Sequence, residues 1–217
     1  MIRHFFSIIV LVAFFSCTAE KDPLNIAHLQ EGDILFQDVD CGPFCDAINK
    51  VTSGVNGKNF SHCAIVAQEG DSLFIIEAVG KGVVKTSFDD FFAKQTGEGG
   101  TLVGRMKAEY SDLAPKAAKN AFQYLGKSYD EVFDIKNDKY YCSELIYETY
   151  KEANNDQEVF KLYPMTYKDP DTNEFFPIWV DYFKTLEYEI PEGKAGLNPG
   201  GVSKSEFLDI YEINLLN

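Results

Sequence analysis

The apolar positions along the chain come first in short alternating runs and later at helical spacing. GDILFQ (32–37) reads as a short strand, and PFCDAINKVTSG (43–54) as a helix stopped by a glycine, with Ala47, Ile48 and Val51 on one face. FSHCAIVAQ (60–68) and SLFIIEAV (72–79) are apolar, β-branched runs on either side of a Gly-Asp turn, which predicts a hairpin. GVVKTS (82–87) continues as a third strand, with Ser87 placed to cap a short FDDFFAKQ helix. TLVGRM (101–106) predicts another strand, and Ser111 is read as the cap of a helix that runs to Leu125 and stops at Gly126. YYCSELIYETYKEA (140–153) reads as a helix. Residues 154–200 are irregular, aromatic and proline-bearing, and are expected to cover the core rather than form a second domain. Strands clustered early and helices placed late give an α+β class, an antiparallel sheet or partial barrel packed against helices.

Composition narrows this further. At 217 residues and 45% hydrophobic the chain can build one well-buried core and is not disordered. Its 20 basic and 34 acidic residues leave a net charge of −14, which argues against nucleic acid as a partner. That charge also opposes an anionic membrane surface unless an anchor holds the protein there.

The opening MIRHFFSIIVLVAFFS has a basic residue followed by an apolar run from Phe5 to Phe15. That run is about half the ~20 residues a spanning helix needs and suits a secretory signal. With Cys17 directly after Ser16, it resembles a bacterial lipoprotein signal, in which this cysteine is lipidated. The expected organisation is a signal peptide (1–16), lipidated Cys17 and tether (17–31), and one catalytic domain (32–217). The expected location is the bacterial cell envelope, exported and membrane-anchored. Removing the signal leaves His28 and His62, and the thiols Cys41, Cys45, Cys63 and Cys142, which allow three complete pairings. His28 has no evident partner and is expected at the surface.

The hairpin carries the first chemistry. Alternate strand residues share a face, so Glu77 interrupts an apolar row of Leu73, Ile75 and Val79, and His62 interrupts one of Ala64 and Val66. A four-residue loop puts His62 opposite Glu77, a two-residue loop makes them diagonal neighbours on one face, and a three-residue loop separates them. An imidazole and a carboxylate in an apolar layer must satisfy one another, either as a structural pair or as part of a site.

Cys142 bears on that choice. It lies in the first turn of a helix whose inward face is Cys142, Leu145, Ile146 and Thr149. Unpaired N–H groups and the positive dipole end favour a thiolate there, and the same N–H groups can hold an oxyanion. Nucleophile, base and orienting carboxylate follow triad logic, whereas a buried structural cysteine is the plain alternative.

GDILFQ, NFSHCAIV, FIIEAVGKGVV and GKSYDEVFDIKNDKYYCSELIYETY together resemble the permuted papain-like cysteine hydrolases, the YiiX/YebB-like branch of the NlpC superfamily. NPGGVSKSEFL (198–208) is similar to that family's closing segment. The resemblance implies a permuted papain-like fold with Cys142 as nucleophile, His62 as base and Glu77 orienting it. It implies cleavage or transfer of an acyl group, at an amide bond of a cell-wall peptide or of an N-acyl compound such as an N-acyl lipid; nothing in the sequence indicates an organic cofactor or a catalytic metal. In SHCAIV, Cys63 and Ala64 replace the usual Val-Gly; Cys63 points away from His62 and is not expected to disturb the triad. Asp40–Phe44 mimics the nucleophile motif of unpermuted relatives. Cys41 and Cys45 are instead expected as a disulfide or a pair of rim thiols, and their spacing lacks a second pair for zinc. Tyr141 and Tyr129 are expected on the substrate pocket wall; Tyr140, with Phe175, Phe176, Ile178 and Trp179, fits either pocket or packing. The alternative function is a lipoprotein that binds a lipid or wall fragment without turnover.

Overall fold

The computed structural model describes residues 23–96 and 100–214. The expected signal segment and Cys17 lie outside them. Nine strands occur among these residues: β1 (Leu24–Asn25), β2 (Ile34–Gln37), β3 (His62–Glu69), β4 (Ser72–Val79), β5 (Gly82–Thr86), β6 (Thr101–Met106), β7 (Tyr163–Pro164), β8 (Ala195–Gly196) and β9 (Leu208–Asn214). The α-helices are α1 (Pro43–Val51), α2 (Phe88–Phe92), α3 (Leu113–Ala121), α4 (Cys142–Ala153), α5 (Pro177–Thr185) and α6 (Pro199–Ser203). Seven strands form one sheet in the order β1-β9-β6-β2-β3-β4-β5, antiparallel except for the β1–β9 pair, and β7–β8 form a separate ribbon.

Two layers cover the sheet. On one face α3 and α4 pack over Ile34, Phe36, Cys63, Ile65 and Ile76. On the other, α2 closes over Leu35, Ala64, Val66, Ile75 and Val103 through Phe91. A third, aromatic cluster joins α1 to α5 through Phe44, Tyr167, Trp179 and Phe183. Because α4 lies between sheet and cover, nine of its twelve residues are buried, not only the face expected from 3.6-residue spacing.

Three details differ from the sequence reading. Leu24–Asn25 adds to the sheet edge beside β9 and Leu29 is buried, so the described fold begins inside the stretch expected as tether. The helix expected from Ser111 to Leu125 is α3 followed by a 3₁₀ turn at Phe122–Tyr124, and Asp112, not Ser111, precedes its first turn. The cover contains a helix, α5, and the β7–β8 ribbon. Ser87 does cap α2, accepting the Asp90 N–H at 3.1 Å.

Candidate active site

The β3–β4 register pairs Glu69 with Ser72 and Ile65 with Ile76, so Gly70 and Asp71 form a two-residue loop. Gly70 supplies the positive φ (61°) that such a turn needs at its first residue. His62 and Glu77 are therefore diagonal neighbours, and His62 Nε2 lies 2.7 Å from Glu77 Oε2. Glu77 is fully buried, and its other oxygen accepts from Thr86 Oγ1 at 2.6 Å and from Lys94 Nζ at 2.5 Å. Neither partner was foreseen. Thr86 shares the Glu77 face of β5 by alternation, whereas Lys94 arrives from the turn after α2. Gln37, opposite His62 in the register, donates from Nε2 to the Phe91 carbonyl at 3.0 Å and so holds α2 beside the imidazole.

Cys142 opens α4 from the other layer. Tyr141 precedes it in extended conformation (φ −91°, ψ 171°), and the Glu144 carboxyl accepts the Tyr141 N–H at 3.3 Å. Cys142 is 7% exposed, and its thiol lies near enough to His62 and Cys63 for each to shift its titration. Since Nε2 of His62 faces Glu77, Nδ1 is the nitrogen left for the sulfur. The structure thus brings Cys142, His62 and Glu77 together, with His62 hydrogen-bonded to Glu77 and close enough to Cys142 for the two to shift one another's titration.

Cys63 requires a correction. It does point away from the His62 side of β3, but that face is the one on which α4 packs, so its thiol meets Cys142. The hydrogen bond from Cys63 is the largest influence lowering the Cys142 thiol well below its ordinary value; burial opposes it, and the His62 hydrogen bond and charge add to it. Burial drives Cys63 the other way, so Cys63 stays a thiol while Cys142 becomes the thiolate. Burial alone would lower His62, but its hydrogen bonds and charge interactions with Cys142 and Glu77 raise it to about 9. Burial would likewise raise Glu77, yet His62, Lys94 and Thr86 bring it down to about 2. These directions favour a thiolate at Cys142 beside a protonated His62, with Glu77 as the carboxylate behind the ring.

A cavity of about 240 Å³ opens at Cys142. Tyr129 and Tyr141 line it together with Phe44, Phe133 and Trp179, and among the described residues no Asp, Glu, Lys, Arg or His side chain is on its wall. Phe175, Phe176 and Ile178 pack into the aromatic cluster behind Trp179. Cys41 and Cys45 form a disulfide that brackets Phe44, and His28 is exposed, its carbonyl accepting from Arg105. Ser143 is fully buried and donates to the Leu197 carbonyl at 3.0 Å, so it ties down the cover.

Residues 28–209 match the model of the C92 family, described as permuted papain-like amidase enzymes of the YaeF/YiiX type. The chain is 32% identical to the uncharacterized protein YiiX of Escherichia coli K12 over 126 residues, which span 57% of this chain and 58% of YiiX. A crystal structure titled as the metalloprotein YiiX of Escherichia coli O157:H7 superposes with a TM-score of 0.67 at 25% identity, covering 86% of this chain and 98% of that one. That description makes YiiX a metalloprotein; among the described residues here no group of three or more His, Cys, Asp or Glu is placed to hold a metal ion. Family membership suggests hydrolase activity. On the match to its model, the chain belongs to the permuted papain-like amidases of the YaeF/YiiX family.

Proposed function

We propose that the protein is a thiol amidase that cleaves an N-acyl amide through an acyl–Cys142 intermediate. The observation that supports this reading is the juxtaposition of Cys142 with the hydrogen-bonded His62–Glu77 pair, with Cys142 on the wall of a largely aromatic cavity. The thiolate attacks the acyl carbonyl, and the imidazolium of His62 gives its proton to the leaving amine. Water then attacks the thioester with His62 as base, while Glu77 fixes the ring and stabilises its charge. The cavity favours an aliphatic acyl group, as in an N-acyl lipid, over the charged side chains of a cell-wall peptide, because its wall is mostly aromatic and aliphatic and carries no acidic or basic side chain to pair with an entering ion away from Cys142. Tyr129 and Tyr141 contribute flat, largely apolar walls to that group. Export and anchoring through a lipidated Cys17 belong to the same proposal and would place the enzyme on a membrane surface where such substrates lie.

The test is to incubate the protein with N-octanoyl amides and with wall peptides, quench in acid and weigh the protein. An octanoyl adduct on the peptide containing Cys142, absent in Cys142→Ala and His62→Ala, is the expected result. Binding of the amide with neither adduct nor product would favour the non-catalytic lipoprotein instead.

A further inference from the structure

An acyl–enzyme mechanism needs at least two donors for the oxyanion, and the first turn of α4 supplies one in the Cys142 N–H, which has no acceptor within the helix. The segment that crosses this turn is held on both sides of Cys142. The Leu197 N–H donates to Tyr141 Oη at 3.3 Å, and the Leu197 carbonyl accepts from Ser143 Oγ at 3.0 Å. The next residue, Asn198, lines the same cavity as Cys142. Its position is fixed from the far side as well, since Gly200 lies so close to α1 that a Cβ there would fall 2.3 Å from the Thr52 carbonyl oxygen.

The orientation of the Asn198 amide follows from its partner. Oδ1 accepts the Gly201 N–H at 2.7 Å, which leaves Nδ2 as the end of the amide free to donate elsewhere. Among the described residues no hydrogen-bond acceptor is recorded for Nδ2. A donor with a pinned base stands at the rim of the nucleophile's cavity.

We infer that Asn198 Nδ2 is the second oxyanion donor of this enzyme, acting with the Cys142 N–H. The assignment rests on the thiol-amidase reading above. In the step it serves, Cys142 Sγ forms a bond to the acyl carbon and the carbonyl π pair moves onto oxygen. Nδ2–H and the Cys142 N–H hold that charge until the C–N bond breaks and the amine leaves with the His62 proton.

Asn198→Ser tests this, because serine keeps an acceptor for the Gly201 N–H and removes the amide donor. Three readouts are compared with wild type: alkylation of Cys142 by iodoacetamide, reversible binding of octanal as a hemithioacetal, and acylation by 4-nitrophenyl octanoate. Alkylation creates no oxyanion and stays within about twofold, while acylation falls by about 10²–10³-fold, with octanal affinity weakened in the same sense. Unchanged acylation and octanal affinity in the variant would overturn the assignment, and so would a parallel loss of alkylation, which marks a structural role. Failure of wild type itself to be acylated at Cys142 would overturn the amidase reading and the assignment with it.

Discussion

At the scale of single residues, the Cys142 thiolate is held by two neighbours of different kind, an imidazolium and a second thiol. They are separable by experiment. In wild type, the rate of iodoacetamide alkylation should show a thiolate titrating well below the ~8.5 of free cysteine, with the ion pair dissolving as pH rises through about 9 and His62 loses its proton. Cys63→Ala should move the thiolate limb toward the ordinary range, while Cys63→Ser, which keeps a donor, should largely preserve it; identical profiles for Ala and wild type would remove Cys63 from the account. Glu77 makes a different prediction. Its carboxyl is held at about 2, so the carboxylate contributes stability that is present above the usual ~4.3 and is lost as pH falls through about 2. Glu77→Gln retains the shape but not the charge, and kcat should drop by roughly 10²–10⁴-fold with a lowered His62 pKa, read by NMR titration of the ring.

Elements explain which of these residues could be read in advance. The His62–Glu77 pairing was legible because strand alternation fixes the face, and a Gly-Asp loop permits the diagonal register found. The consequence of Cys63 was not, since alternation says which face it takes but not that α4 packs there. Asn198 was beyond reach for another reason: its place is set through its neighbour Leu197, which is held by Tyr141 and Ser143 more than fifty positions earlier. Leu24–Asn25 was missed because a two-residue edge strand has no period to detect. Helix α4 also carries its own cost. Burial pushes the Glu144 carboxyl up to about 9, with the charges of Asp130 and Glu148 adding to the shift, so the folded state binds a proton that the unfolded chain releases near 4.3. Stability from this group is therefore full below about pH 4 and declines as pH rises toward about 9. Glu144→Gln keeps the acceptor for the Tyr141 N–H and should flatten that decline, giving a higher Tm than wild type at alkaline pH and little difference under acid conditions.

Across the whole molecule, a net charge of −14 surrounds a cavity with no charged lining. Neutral N-acyl amides should consequently show kcat/KM nearly independent of salt. An anionic analogue such as an N-succinyl amide should be the poorer substrate, and its kcat/KM should rise between about 20 mM and about 300 mM NaCl as the Debye length shortens. Equal salt response for both would mean that the field does not reach the cavity mouth. The permuted order of the site has a consequence in time as well as in space. His62 and Glu77 are fifteen positions apart and meet through a local hairpin, an event of microseconds once that stretch is free. The thiol comes sixty-five positions after Glu77, and the segment bearing Asn198 later still. A growing chain thus holds an imidazole–carboxylate pair without its thiol until Cys142 has been made, and a product ended before that residue carries no nucleophile.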